Sequence, residues 1–246
     1  MASGAESGHR KFAFIHIQKT AGTSVEELLK AAVPDMTYYG PRHMEARYAR
    51  RKLKDWDERF TFAFVRNPWD RLVSWYSMIQ GGARRVREGK PPAARWLRSI
   101  WGEPWRNPLL AHALEVLEED PTFESFVKHC TGEFRKDGAI YSFERNQIDY
   151  LTSRRGRLLV DFVGRFERLP EDLTVVFSEI GLEPGLIEDK LPHKNLNRNR
   201  ILRGHYRNFY TPETAAIVGE RFAKDIEYFG YKFEAEEPAL GAADNS

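Results

Sequence analysis

Two segments of this sequence share one construction: a short, continuous apolar run, a turn, then an amphipathic helical pattern. The first run, residues 11–17 (KFAFIHI), is long enough for a strand and too short for a stable helix. Beyond a short turn, Val25, Leu28, Leu29 and Ala32 fall at i, i+3, i+4 and i+7, on one helical face, and Pro34 ends the pattern. The second run, residues 60–65 (FTFAFV), leads into Arg66-Asn67-Pro68 and then Leu72, Val73, Trp75, Tyr76 and Ile79. Asn67 as cap, Pro68 at the first helical position and Asp70 in the first turn predict a helix start there. Strands that are apolar throughout, rather than alternating, are strands covered on both faces, so a doubly wound α/β fold with a parallel sheet is expected.

Further along, residues 158–163 read as a third strand and residues 174–180 as a strand or short helix. A last helix is predicted from Thr211 as cap and Pro212 in the first turn, through Ala215, Val218, Phe222 and Ile226, to Gly230 just past its end. The 246 residues suit one α/β domain spanning residues 11–233, with a flexible stretch at 1–10 and a disordered tail at 234–246. A Gly-, Pro- and Arg-rich stretch at 80–108 reads as an insertion or lid.

Lys plus Arg (38) nearly balance Asp plus Glu (36), so no overall basic field drives binding to nucleic acid, and any anion site must be local. Cys130 is the single cysteine, which excludes an internal disulfide and a multi-cysteine metal site; a buried apolar role is expected for it. No segment approaches the ~20 apolar residues of a membrane span, and a cytoplasmic location is expected.

The turn after the first strand reads Gln18-Lys19-Thr20-Ala21-Gly22-Thr23-Ser24. Helix-start amides, a glycine that admits close approach, and the hydroxyls of Thr20, Thr23 and Ser24 make an anion cradle, with the Lys19 ammonium at its rim. The plain alternative is a capping box between Thr23 and Glu26 with Lys19 on the surface. Nucleotide triphosphatases instead end this loop in Gly-Lys-Ser/Thr and place a metal-binding Asp at a neighbouring strand end. Here the lysine precedes the glycine and the second strand ends in Arg66, so no metal is expected, and transfer of a less charged group than phosphoryl fits better. Arg66, with Ser74 two turns into the following helix, offers a second anion site facing the same crevice. A structural Arg66–Asp70 ion pair and a solvent-facing Ser74 are the corresponding plain readings.

FIHIQKTAGTS resembles the 5′-phosphosulfate loop of sulfotransferases, closest to the carbohydrate and bacterial (family-2-like) group, and FAFVRNPWDRLVSWY resembles that family's 3′-phosphate motif. Gln18 stands where the family usually has proline. The resemblance implies a three-layer sandwich like that of P-loop NTPases, with a central, mostly parallel β-sheet flanked by helices. It implies an enzyme using 3′-phosphoadenosine 5′-phosphosulfate (PAPS) as co-substrate and releasing 3′-phosphoadenosine 5′-phosphate (PAP). Lys19, Thr20, Ala21, Gly22, Thr23 and Ser24 would hold the phosphosulfate, and Arg66 and Ser74 the 3′-phosphate. Weaker similarity continues through Val163-Gly164-Arg165-Phe166-Glu167, Leu191-Pro192-His193 with Asn195, and Tyr210-Thr211.

Transfer to an acceptor hydroxyl needs a base and a cation on the departing oxygen. Lys19 suits the second role. His43, in PRHMEARYARRKL, is favoured for the first because the resembling enzymes carry a histidine there, with a surface or capping histidine as the plain alternative. Glu45 is a poorer base, His16 reads as a core or supporting residue within the strand, and His112 has no visible partner. Basic residues at 84–98, interleaved with Trp96, Trp101 and Trp105, suit an acidic or sugar acceptor, and those at 194–207 a flap over the 3′-phosphate; solvated loops are the default for both. The acceptor is an alcohol, with a glycan among the candidates. A P-loop kinase-like phosphotransferase and a noncatalytic PAPS- or PAP-binding module are the alternatives.

Overall fold

The computed structural model describes residues 1, 8–88, 107–185, 187 and 204–233. Its sheet contains β1 (Phe12–Ile15), β2 (Phe60–Val65) and β5 (Phe162–Arg165), paired in parallel in the order β1-β2-β5. Phe12 lies opposite Phe60, and Phe62 opposite Phe162. Helices α1 (Gly22–Ala32), α2 (Ala46–Lys52), α3 (Pro68–Arg87), α4 (Pro108–Glu119), α5 (Phe123–His129), α6 (Ile148–Leu151), α7 (Leu169–Ile180), α8 (Pro212–Arg221) and α9 (Ala223–Phe229) accompany it. A hairpin of β3 (Glu133–Lys136) and β4 (Ala139–Ser142) stands beside the sheet.

Strand periodicity sends alternate residues to opposite faces, and both faces are buried. Phe12, Phe14, Phe60, Phe62 and Phe64 pack with Val25, Leu28 and Leu29 of α1 and Leu173, Val176 and Phe177 of α7. Ala13, Ile15, Ala63 and Val65 pack with Trp69, Leu72 and Val73 of α3 and Phe126 of α5. Three layers result, as the continuous apolar runs predict; each buried phenylalanine contributes about 1.5–3 kcal/mol relative to exposure.

Several boundaries differ from expectation. The third strand begins at Phe162 rather than at Leu158 and runs on to Arg165, because Leu158 bridges Thr152, and Asp161 turns its carboxylate to Thr61 N (2.7 Å) and Thr61 Oγ1 (2.8 Å). Residues 174–180 are helical, as part of α7. The last helix is broken at Phe222 into α8 and α9, with Gly230 in the left-handed conformation closing α9. His16 lies just past β1 rather than within it. Residues 80–87, read as the start of an insertion, extend α3. Positions 89–106 and 188–203, where the rest of that insertion, the three tryptophans and most of the basic flap fall, lie outside the described residues, as does the tail at 234–246.

Asp225 of α9, fully buried, accepts from Gln147 N (2.8 Å) and Ile148 N (2.9 Å) at the start of α6 and from Gln147 Nε2 (3.1 Å). Gln147 in turn pairs with both backbone groups of Arg66, accepting from N at 2.9 Å and donating to O at 2.8 Å. Asp225→Ala is expected to destabilise the protein by about 3 kcal/mol, since it strands buried donors of a charge-assisted cluster; equilibrium urea unfolding measures this.

Candidate active site

The carboxyl ends of β1, β2 and β5 open on one edge of the sheet, where α/β proteins bind ligands. The turn from β1 to α1 takes an unusual path there. Lys19 (φ 66°) and Ala21 (φ 68°) both adopt left-handed backbone, and so does His43 (φ 65°). Among the described residues the only other non-glycine with positive φ is Asp137, in the hairpin turn. Such conformations cost about 1 kcal/mol or more each and persist where surrounding structure imposes them, commonly at functional sites.

Ala21 caps α1 without any side-chain bond, and the first helical bond runs from Val25 N to Ala21 O. The amides of Gly22, Thr23 and Ser24 are thus first-turn amides left to face an anion, reinforced by the helix dipole. The capping box of the plain alternative is not formed: the Glu26 carboxylate turns instead to His16 and Arg42. Thr20 is fully buried and donates its hydroxyl to Ile17 O (3.1 Å), so that hydroxyl shapes the loop instead of being offered to a ligand.

Two arginines of the second motif hold the loop by its carbonyls. Arg66 Nη1 donates to Lys19 O (3.2 Å), and Arg71 Nε donates to Gln18 O (3.0 Å). Arg66 also pairs with Asp70, Nε at 2.8 Å and Nη2 at 2.7 Å, and its guanidinium stacks 3.9 Å from the Phe166 ring. The Arg66–Asp70 ion pair read as the plain alternative is therefore real, and it orients the arginine at the loop. Asn67 Oδ1 accepts from Trp69 N (3.1 Å), as its capping role predicts. Ser74, half-buried, shares the helical face of Arg71 and Trp75, the face that meets the loop.

The Lys19 ammonium lies 5.7 Å over the Trp75 ring. Burial, then the neighbouring Arg66 charge, lowers its pKa to about 7. Two clustered cations with a desolvated ammonium are a site that an incoming anion stabilises.

Gln18, the departure from proline, is buried and acts through its side chain. Its Nε2 donates to Ile140 O (2.7 Å), and its Oε1 accepts from Tyr150 Oη (3.3 Å), which fastens the loop to β4. A Cβ on Gly22 would lie 2.1 Å from the His16 ring. That ring is pinned, so Gly22→Ala is expected to cost about 1–3 kcal/mol, as read by thermal unfolding.

His43 is half-buried, with its Nδ1 3.2 Å from His16 O. A carbonyl only accepts, so Nδ1 carries the hydrogen and Nε2 keeps the lone pair. Burial, followed by His16, Arg42 and Arg71, holds its pKa well below the ordinary 6.5, leaving the ring neutral at pH 7. Glu45 is fully buried between Arg47 (2.7 Å) and Arg145, a neutralised structural carboxylate. His112 has a partner after all, His129 O at 3.1 Å, between α4 and α5.

Arg71 and Trp75 were missed in the sequence because each sits within an apolar stripe; the signal available was a charged residue at i−4 from an aromatic facing the loop. Cys130 is buried, as expected. Among the described residues, no cluster of three or more His, Cys, Asp or Glu could hold a metal, and no helix is long and apolar enough to cross a membrane.

No curated protein and no solved structure matches the chain significantly. The sulfotransferase family model, of the family-2 group, matches residues 6–232. Because that match runs from ahead of β1 to the segment after α9 and takes in the turns that follow β1 and β2, the chain belongs to the sulfotransferase family.

Proposed function

We propose that this sulfotransferase takes its sulfuryl group from PAPS and delivers it to an acceptor hydroxyl, with a glycan among the candidate acceptors. The observation that carries the reading is the clamp: Arg66 and Arg71 grip the carbonyls of Lys19 and Gln18, making two anion sites one rigid unit suited to a donor with separated anionic groups. The amides of residues 22–24, with Lys19, would seat the phosphosulfate, and Arg66 with Ser74 the 3′-phosphate.

In this reading His43 Nε2 takes the acceptor's hydroxyl proton as the acceptor oxygen bonds to sulfur. The bond between sulfur and the bridging phosphate oxygen breaks in line, and Lys19 neutralises the charge left on that oxygen. The products are the sulfate ester and PAP, with the proton on His43. The reading is supported by His43's free nitrogen and neutral state, and by a Lys19 that has no carboxylate partner among the described residues.

A pH dependence follows. Lys19 is largely neutral in the free protein above its pKa of about 7, and a bound anion raises that value. PAP binding at pH 8 should therefore take up close to one proton and weaken as pH rises, which calorimetry in buffers of different ionisation enthalpy measures. No proton uptake would remove Lys19 from the anion site.

A further inference from the structure

Beside the proposed base lies a second histidine, buried and paired with a carboxylate. His16 is 8% exposed and Glu26 2%. His16 Nδ1 meets Glu26 Oε1 at 2.8 Å, while Glu26 Oε2 is taken by Arg42 Nη2 at 2.6 Å and by Tyr38 Oη at 3.4 Å. The carboxylate fixes the imidazole's tautomer and rotation, as buried carboxylate–histidine pairs do. The opposite edge of the ring, Cδ2 and Nε2, is pressed against Gly22 at the start of α1.

The same residue holds His43. Its carbonyl accepts from His43 Nδ1, its ring meets the His43 ring edge-on at 4.7 Å, and Glu26 also anchors Arg42, the residue preceding His43. One carboxylate on the loop's own helix thus ties together the strand end, the anion loop and the histidine.

We propose that His16, locked by Glu26, is a positioning residue that holds His43 over the anion loop so that base and donor seat keep a single geometry. This rests on the reading of His43 as the base. His16 touches no reacting atom; it acts through His43, and misplacement by about 1 Å can cost about a hundredfold in rate.

The groups facing His43 are His16 just past β1, Arg42 in its own loop, Arg71 of α3 and Tyr141 of β4; Glu26, Arg42 and the Met1 amine face His16. His16→Asn keeps a donor for Glu26 and removes the ring from both Gly22 and His43. Turnover per PAP-binding molecule should fall about 10- to 100-fold, PAP affinity should change by less than about threefold, and the acid limb of the pH–rate profile should move up toward the ordinary histidine range as His43 loses its enclosure. In a His43→Asn background the same change should alter the residual rate by less than about twofold, because its effect passes through His43. Should His16→Asn not fold, Glu26→Gln carries the same cycle.

Equal fractional losses in both backgrounds, or an unmoved acid limb with normal turnover, would overturn the role of His16 alone. Wild-type turnover in His43→Asn by itself would overturn the reading of His43, and this proposal with it.

Discussion

Replacing His43 by alanine or asparagine is expected to lower kcat by about a thousandfold while PAP affinity stays within a few-fold of wild type. Asparagine is the better probe, since His43 sits at φ 65° and asparagine tolerates the left-handed region that strains alanine. Three features together suit His43 to this role: Nδ1 bound to a carbonyl, Nε2 left with its lone pair, and burial that keeps the ring neutral. The sign of the pH effect follows. With its pKa below 6.5, His43 stays a base at neutral pH and is lost only on the acid side, so kcat should fall at low pH. That limb should vanish in the asparagine variant. A variant with normal kcat would place the base elsewhere.

Lys19→Met should lower kcat by about 100- to 1,000-fold, the range seen when a donor to developing negative charge is removed. Methionine is close in shape to the lysine stem and removes the ammonium that lies over Trp75. PAP affinity should fall much less, because the first-turn amides and the Arg66 guanidinium remain. The wild-type profile of kcat/KM for the donor should be bell-shaped, limited by His43 on the acid side and by Lys19 near pH 7 on the other, whereas kcat itself should keep only the acid limb because the bound donor holds Lys19 charged. An equal loss in kcat and in affinity would make Lys19 a binding residue and no more.

The layers of the fold were readable because burial on both faces writes itself as uninterrupted apolar residues, and β2 matches residues 60–65 as read. The run at 158–163 predicts the third strand to start four residues early because it contains Asp161, whose partner, Thr61, is a hundred positions away; local pattern carries no trace of that pairing. Residues 174–180 alone are too short a stretch to separate strand from helix. From Leu169 onward, Leu173, Val176, Phe177 and Ile180 mark one helical face that ends at Gly181 in the left-handed conformation.

At the site, the residue types of the loop and of Arg66 were evident, and their arrangement was not. Thr20 turns inward, Glu26 leaves the helix terminus for His16, and Gln18 replaces a rigid ring by side-chain bonds to β4. The grip of Arg71 on Gln18 O depends on how α3 packs across β1, a tertiary fact that helical periodicity does not encode.

The most direct test of the central claim is to incubate the protein with PAPS and a panel of sugars, phenols, lipids and small alcohols, and to follow sulfated acceptor and PAP together by mass spectrometry. The expected result is a sulfated hydroxyl formed one for one with PAP, in a reaction lost in the His43 variants. Tight PAP binding with no product across the panel, or a phosphorylated acceptor formed from ATP and magnesium, would contradict it.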